Sequence, residues 1–444
     1  VSYDTHGRPV ERLHTLSATG ASERYAFLYD GETPADESAT APSVGQTGHL
    51  TGEEGPGFSR SWVYDVAGRA SRNAFRLQDG FELIETGFTY FSDGEWRSYM
   101  RRAQPPRGSF ALPKVRSIDG VGRLSHMDVG GVRAFDLSYD ALNRVQNVSM
   151  PTAATASSFS RTFDAVTRRE NGYILSQGAT DAFSSWDFDD RGLIASEQTT
   201  AAGVDTSRTF SYDARRFLVE AHSGTSGAVE AWSYDANGML ASMQDHHGSR
   251  SITRTPAQLT AGSRTYRLDS LGRVVDTGNA TLSYGAHGHV ALSTSASGRQ
   301  ATYLYNHDDQ RIATSVDGVL TAAFVGDTVY TESGLLEPVE FGGRLVALIR
   351  EDGEIQPVAA DQRGTLAADP ETGEALTRAT RRDIPDGALR SPRLRSLSRP
   401  IPHPRSALFH ATRPLARKPG RGESLRLRDR RSDQSDGSDG YLRL

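Results

Sequence analysis

The sequence predicts an all-β fold in which serial antiparallel β-hairpins form a curved sheet or a partial β-shell. Three observations support this fold class: a short motif recurs along the chain, turn-forming residues lie at its centre, and alternating apolar and polar residues flank it. The motif returns about every 20 to 25 residues, and such self-similarity marks repeat architectures whose units bury their apolar faces only by stacking on neighbours.

The repeated motif is an aromatic residue, Asp, two variable residues, Gly and Arg, followed by an apolar residue. The structural repeat positions that we predict are Tyr3, Asp4, Gly7 and Arg8; Tyr64, Asp65, Gly68 and Arg69; Tyr139, Asp140 and Arg144; Tyr212 and Asp213; Tyr234, Asp235 and Gly238; and Asp269, Gly272 and Arg273. Less complete copies begin at Ile118, Phe163, Phe188, Tyr284 and Tyr305.

Each copy predicts the turn of a β-hairpin. Asp is favoured at the first position of a type I turn, and Gly at the fourth, where a positive φ lets the chain reverse. Asn143 replaces Gly in one copy, and Asn is the next most tolerant residue there. Stacked hairpins should align their Tyr rings into one ladder, and the Asp and Arg of successive copies into a second, polar ladder.

Between the clear copies the pattern changes in four places. Residues 31–61 are rich in Gly, Pro, Ser, Thr and acids and predict an insertion loop, and a shorter loop is expected near Met150. Asp79-Gly80 and Asp93-Gly94 predict divergent hairpins, and one more eroded hairpin is expected before Leu268. No amphipathic helix is predicted in the repeat region.

The motif, its spacing and its degeneracy resemble those of Rhs/YD-repeat proteins over about residues 1–375. This family includes bacterial Rhs polymorphic toxins, the C components of insecticidal Tc toxins, wall-associated proteins and animal teneurins. The resemblance implies repeats that wind into a hollow β-shell around a C-terminal toxic polypeptide, or that present an adhesive surface.

The resemblance stops before the family's self-cleaving core. Asp361, Gly364 and Thr365 match the Asp-x-x-Gly-Ser/Thr pattern that leads into that core, but nothing after Leu376 matches the core itself. We therefore predict no catalytic residue and no autoproteolysis by this chain, and no cofactor.

Residues 376–444 differ in composition from the rest of the chain. They contain 17 basic and 7 acidic residues, many Pro and no hydrophobic period. Three interpretations are open: an out-of-frame C-terminus, which we favour, a disordered basic tail that contacts nucleic acid or another polyanion, or a divergent toxin passenger. Because the chain begins inside a repeat, we expect it to be a fragment of a longer protein.

Candidate chemical groups are few. His246, His247 and Asp245 adjoin, and two successive turns contain His287, His289, His307, Asp308 and Asp309, but loop and adjacent strand His residues seldom converge into a metal site. The four tryptophans could stack on sugars, although core packing is the favoured interpretation: Trp62, Trp96, Trp186 and Trp232. The chain has no Cys, which excludes disulfides and thiolate metal sites.

The leading functional prediction is a non-catalytic repeat scaffold, part of an Rhs-type toxin shell that encapsulates or delivers a C-terminal passenger in intercellular competition. Its expected partners are the passenger or other repeat segments of the same protein, at an extracellular or cell-surface location. The alternative is an extracellular YD-repeat adhesin that binds carbohydrate or partner-cell surfaces. A nuclease-like basic tail ranks third. No apolar run is long enough for a membrane helix.

Overall fold

The computed structural model describes residues 1–16, 21–36, 44–104, 110–153, 156–177, 180–201, 204–224, 226–245, 248–326, 328–331, 334–341 and 344–358. Over this part the chain forms one antiparallel sheet of 33 strands, so the predicted all-β fold class is confirmed. The helical content of these residues is a single 3-10 turn at Val44–Gln46. None of their helices has the length and apolar character needed to span a membrane.

The strands follow one another along the chain. The first eleven are β1 Ser2–Tyr3, β2 Pro9–Leu16, β3 Ala21–Tyr29, β4 Leu50–Gly55, β5 Phe58–Tyr64, β6 Ala70–Leu77, β7 Glu82–Tyr90, β8 Trp96–Gln104, β9 Phe110–Ile118, β10 Leu124–Val129 and β11 Val132–Tyr139. The next eleven are β12 Val145–Met150, β13 Ser157–Phe163, β14 Glu170–Gln177, β15 Thr180–Phe188, β16 Ile194–Ala201, β17 Val204–Tyr212, β18 Leu218–Ser223, β19 Val229–Tyr234, β20 Leu240–Asp245, β21 Gly248–Arg254 and β22 Gln258–Ala261. The last eleven are β23 Arg264–Leu268, β24 Val274–Asp276, β25 Ala280–Tyr284, β26 Val290–Ser295, β27 Gln300–Tyr305, β28 Arg311–Val316, β29 Val319–Val325, β30 Thr328–Thr331, β31 Gly334–Phe341, β32 Arg344–Arg350 and β33 Ile355–Pro357.

Every strand pairs with the strands before and after it in sequence, so the sheet is an uninterrupted meander. The motif turns join odd-numbered to even-numbered strands, as between β9 and β10. They therefore all lie at the same end of the strands, along the border of the sheet that runs across the strand direction. We call this the motif edge. The pairing register shifts at the motif aromatic, as at Tyr139, which pairs with Val145. This shift marks the bulge that follows a type I turn with a left-handed residue.

The sheet curls until its last strands meet its first. The largest core contains buried side chains from β3 to β15 together with side chains from β28 to β33, such as Val148 and Ile349. The intervening strands β17 to β22 have a separate core around Trp232. The sheet stays open, with β1 and β33 at its two ends.

Side chains, rather than ladder hydrogen bonds, join the first strands to the last. We call these contacts the seam, and its members are Arg101, Lys114 and Thr328 around Glu337; Phe81 and Phe110 on Tyr330; Glu23 and Tyr25 on His287; and Arg12 and Glu53 on His307. These contacts join β2, β3 and β4 to the turns at 285–289 and 306–310, and β8 and β9 to β31.

The structure corrects one part of the predicted organisation and confirms another. The insertion expected over residues 31–61 is not a loop throughout, because β4 and most of β5 lie within it and pair with each other. Their alternation is hidden by three glycines, Gly52, Gly55 and Gly57, where an added Cβ would meet a neighbouring side chain; at Gly52 it would lie 2.9 Å from Leu28. The eroded hairpin expected before Leu268 is present as β21 and β22. The predicted boundary at residue 375 and the tail 376–444 lie outside the described residues.

Candidate functional site

The motif turn is a closed set of hydrogen bonds around its Asp. In the copy at Asp119, the backbone N–H of Asp119 donates to the carbonyl of Arg123 at 2.7 Å, and the N–H of Gly122 donates to the carbonyl of Asp119 at 3.1 Å. The carboxylate oxygen Oδ1 of Asp119 accepts the N–H groups of Val121 and Arg123, and Oδ2 accepts Nε of Arg123 at 2.8 Å. The same arrangement recurs at Asp4, Asp65, Asp140 and Asp269.

These bonds favour the ionised carboxylate. The N–H of Arg123 and the Arg123 guanidinium hold the pKa of Asp119 below its ordinary value of 3.8. The pKa values of seven further motif aspartates are lowered in the same direction by backbone hydrogen bonds together with a guanidinium or, at Asp164, the Thr167 hydroxyl: Asp4, Asp65, Asp140, Asp164, Asp189, Asp213 and Asp269. At Asp140, Asp213 and Asp269, burial acts in the opposite direction but is outweighed.

The fourth turn position requires a left-handed backbone. Gly122 adopts a φ of 87° there, and the predicted substitute Asn143 adopts 61°. Arg216 occupies the same position in the copy at Tyr212 with a φ of 68°, although an Arg side chain gains nothing from that conformation. Turn geometry is therefore imposed at Arg216 by the surrounding hydrogen bonds rather than by its own preference.

Successive copies are joined by the motif Arg. The Arg123 guanidinium lies 4.4 Å from the centroid of the Tyr139 ring, and its NH1 donates to Oδ1 of Asn143 at 2.7 Å. In return, the hydroxyl of Tyr139 donates to the carbonyl of Leu124 at 2.7 Å. The same Arg-on-ring contact links Arg8 to Tyr29, Arg69 to Tyr90, Arg144 to Phe163, Arg169 to Phe188 and Arg273 to Tyr284.

This geometry corrects both ladders expected from the sequence. The motif Asp–Arg ion pairs lie mainly inside one copy, as between Asp140 and Arg144, although Arg8 also pairs at 2.8 Å with Asp30, next to the following ring. The aromatic rings of successive copies are bridged by a guanidinium. The physical reason is spacing: neighbouring motif turns are two strands apart, roughly 9–10 Å, which exceeds the range of ring stacking.

Several copies lack the final Arg, and in two of them another Arg takes its place. In the copies at Phe188 and Tyr212 the final position holds Leu193 and Phe217. Arg191 and Arg215, two residues after the Asp, then bind its carboxylate, and each also donates through NH1 to the carbonyl of the next motif Asp at 3.0 and 2.9 Å. Sequence reasoning missed both residues. The available signal was a basic residue within the variable pair of those two copies.

The seam contains a charge cluster whose central pair is fully buried. Nζ of Lys114 on β9 contacts Oε1 of Glu337 on β31, and both side chains are 0% exposed. NH1 of Arg101 on β8 lies 2.7 Å from Oε2 of Glu337 and 2.9 Å from Oγ1 of Thr328. Nε and NH2 of Arg101 also donate to Oε1 of Glu85 at 2.9 and 2.7 Å. Two cations thus face two carboxylates, and the cluster has no net charge.

Burial and the opposite charges act against each other in this cluster. Burial, with the neighbouring Arg101 charge, lowers the pKa of Lys114 to about 8 despite the attraction of Glu337. Burial raises the pKa of Glu337, but the Arg101 and Lys114 charges outweigh it and bring that pKa below its ordinary value. The cluster is therefore an ion-pair network that depends on all its members.

A second part of the seam is built on histidines. The side chain of His287 is 2% exposed and lies between two carboxylates, with Nδ1 at 2.9 Å from Asp309 and Nε2 at 2.9 Å from Glu23. Its ring stacks on His14 at 3.9 Å, and burial together with the His287 charge lowers the pKa of His14. Nδ1 of His307 lies 2.6 Å from Oε1 of Glu53, and this hydrogen bond raises the pKa of His307.

The structure brings the singled-out turn histidines to one place, but with acidic partners from β3 and β4 that the sequence did not indicate. In the described residues no group of three metal-ligating side chains converges. His246 and His247 lie outside the described residues. The partners Glu23 and Glu53 could not have been found from the sequence, since more than 250 positions separate Glu53 from His307 and about as many separate Glu23 from His287.

The four tryptophans lie on strands, at β5, β8, β15 and β19. Trp186 and Trp232 are buried, at 4% and 6% exposure, and Nε1 of Trp186 donates to the carbonyl of Glu170. Arg60 and Arg116 cover the rings of Trp62 and Trp96 at 4.8 and 3.7 Å. The packing of Trp186 and Trp232 matches the interpretation favoured from the sequence, whereas Trp62 and Trp96 are half-buried beneath guanidinium groups.

Known proteins share this repeat pattern. Residues 122–328, from the turn between β9 and β10 to the start of β30, match the family model described as teneurin YD-shell. No curated protein matches the chain. Among solved structures, the chain is similar to TcdB2-TccC3-TEV (12% identity, 82% of this chain and 24% of that chain covered, TM-score 0.47) and to TcdB2-TccC3 (11%, 84%, 28% and 0.32). The chain spans about a quarter of the length of these structures.

Proposed function

We propose that the described strands are a section of the wall of a hollow toxin shell, because residues 122–328 match the family model described as teneurin YD-shell. In this proposal the wall surrounds a C-terminal toxic polypeptide until delivery, and any toxic activity belongs to that passenger. The parent protein would be secreted or presented at the surface of a bacterium, and it would use the passenger in competition between cells.

The seam is the observation that carries this proposal. A sheet that only displayed a surface for adhesion would not need its first strands to meet its last ones. Here β8 and β9 reach β31 through buried ion pairs, and β3 reaches the turn at 285–289 through a nearly buried His287. Burying so many charges is costly unless they are paired, so the closure of the curl is a built feature.

The motif edge supports the same role. At several copies an Arg, a ring and a carbonyl connect one copy to the next, and such contacts recur from Arg8 to Tyr284. Such a chain of nearest-neighbour contacts lengthens a wall without requiring a new core in each unit. The described side chains serve this linkage, so we assign them a scaffolding role and no catalytic one.

A protease-protection assay tests enclosure. An unstructured, protease-sensitive reporter is fused after Leu444 of the full chain and digested beside the free reporter. Enclosure predicts several-fold slower cleavage of the fused reporter, and loss of that protection in a variant with the seam broken by Glu337→Ala. Equal cleavage rates for fused and free reporter would contradict the shell proposal.

The same preparation distinguishes the adhesive alternative. An adhesin predicts binding of the intact chain to a glycan array or to a partner-cell surface, with no protection of the reporter. Binding that survives the substitution Glu337→Ala, together with unprotected reporter, would favour adhesion over enclosure.

A further inference from the structure

We propose that Lys114 and Glu337 form an intramolecular isopeptide bond that joins β9 to β31 and locks the seam covalently. The bond would link Nζ of Lys114 to Cδ of Glu337. It concerns the seam alone and does not depend on what the shell encloses.

The two side chains already meet the positional requirement. Nζ of Lys114 contacts Oε1 of Glu337, and solvent reaches neither side chain. A reaction between two groups held in contact loses almost no translational freedom, which gives intramolecular reactions very high effective concentrations. The amine and the carboxyl group are therefore preorganised for amide formation.

Position 114 holds a Lys in a chain whose cations are almost all Arg. Lys occurs in this chain only at 114 and 418, whereas Arg supplies the other cations, including Arg101 beside it. An Arg forms a better fork with a carboxylate and keeps its proton under all ordinary conditions. A lysine can lose its proton in a buried site and then act as a nucleophile. A buried nucleophilic amine explains the exception where an ion pair alone does not.

The charge arrangement permits that loss of a proton. Arg101 has its own carboxylate partner, since its Nε and NH2 donate to Glu85. Arg101 also donates to Glu337, but Glu85 balances its charge, so a proton can pass from Lys114 to Glu337 without leaving an uncompensated charge. Burial lowers the pKa of Lys114 to about 8, which favours the neutral amine.

Arg101 also prepares the carboxyl group. Its NH1 donates to Oε2 of Glu337 at 2.7 Å and to Thr328 at 2.9 Å, which fixes the plane of the carboxyl group. As the amine adds to Cδ, negative charge develops on Oε2, where this donor already points. Fixed donors at a developing oxyanion act in the way of an oxyanion hole.

The reaction balances without any co-reactant. A proton of the Lys114 ammonium passes to Oε1 of Glu337, and the free amine nitrogen adds to Cδ. The Cδ–Oε1 bond then breaks, and this hydroxyl leaves with a second proton from nitrogen as one water molecule. The ion pair is the resting form, and the neutral pair is rare, but the bond has to form only once in each molecule.

Aromatic walls favour the product. Tyr330 contacts Phe81 at 4.8 Å and Phe110 at 6.1 Å, and Lys114 lies 5.7 Å from the Tyr99 ring centroid. Amide formation removes two charges from this apolar surrounding, where charges are costly. Once the released water has left, solvent has no ready access to either side chain, and this protects the amide from hydrolysis.

Intact-mass spectrometry of the purified, fully denatured full chain tests the proposal. We expect the wild-type chain to be lighter than its sequence by one water molecule. After digestion, a branched peptide should join the segment that contains Lys114 to the segment that contains Glu337.

Lys114→Arg is the matched control, because it keeps a buried cation beside Glu337 but cannot form the amide. This variant should have its full sequence mass and no branched peptide, whether or not it folds as stably as the wild type. A folded wild-type chain that keeps its full sequence mass after prolonged incubation would overturn the proposal and leave an ion pair only.

Discussion

The motif edge and the seam are stabilised in opposite ways. At the motif edge, Asp140 and Arg144 are four residues apart, and their ion pair is one of many similar exposed or half-buried contacts. At the seam, Lys114 and Glu337 are 223 residues apart and fully buried. Exposed ion pairs contribute little individually, whereas a buried charge that loses its partner is costly. Many weak local contacts therefore build the wall, and a few strong distant ones close it.

The largest expected effect comes from the seam. Glu337→Ala leaves Lys114 and Arg101 buried without their shared carboxylate, and we expect a loss of about 3–5 kcal/mol in the free energy of unfolding. Urea unfolding followed by circular dichroism measures it. The control Glu95→Ala removes an exposed partner 3.6 Å from Arg116 and should change little. Similar small effects for both variants would show that the seam is no stronger than the motif edge.

The next largest effect is collective and belongs to the motif edge. The folded-state pKa values of the motif aspartates are lowered from 3.8, as at Asp119, so their contribution to stability is present above about pH 4. It is lost as the pH falls through the lowered values, and the melting temperature should drop steeply below pH 4. His307 behaves in the opposite sense: its raised pKa gives stability that is lost as the pH rises from 6.5 through the folded value. If the melting temperature changed mainly above pH 6.5, the seam rather than the motif edge would control the pH dependence of stability.

A single motif turn should matter less than the seam. Asp140→Ala removes the acceptor of the Leu142 and Arg144 N–H groups and of the Arg144 guanidinium. The Asp140 side chain is 14% exposed, but residues 141–143 of the turn lie at the surface, where water can replace part of these bonds, so we expect a loss of about 1 kcal/mol. Unfolding midpoints of this variant and of Glu337→Ala, measured side by side, give the ratio between the two regions. A loss as large as that of Glu337→Ala would contradict the comparison.

The smallest effect tests backbone strain within the motif edge. Arg216 has a φ of 68°, and Arg216→Gly should stabilise the chain by about 0.5 kcal/mol, since relief of strain is partly offset by the entropy of Gly. Gly122→Ala is the matched reverse change. No atom lies within 4 Å of an added Cβ there, so its expected loss of about 1 kcal/mol would come from the φ of 87° alone. Opposite signs in thermal unfolding are required by this explanation.

Much of the motif edge could be predicted from the sequence, and the predictions that were wrong have physical causes. Asn143 was identified as a left-handed residue from its place in the motif, and it adopts a φ of 61°. The ladder expected between copies is wrong, because neighbouring motif turns are two strands apart and too distant for their rings to stack. Arg191 and Arg215 were missed because they replace the final Arg from a different position. For the ladders the missing information was the distance between neighbouring turns, and for Arg191 and Arg215 it was the position from which a guanidinium reaches the turn carboxylate.

The sequence by itself determined the turns, the strand alternation and therefore the meander, because these depend on contacts between residues at most a few positions apart. Only the tertiary structure decided which strands meet at the seam. The partner of Lys114 depends on the twist and curl summed over all the strands between β9 and β31, and small rotations between neighbouring strands accumulate. No short motif records that sum, so a buried pair such as Lys114 and Glu337 emerges only when the whole sheet is folded.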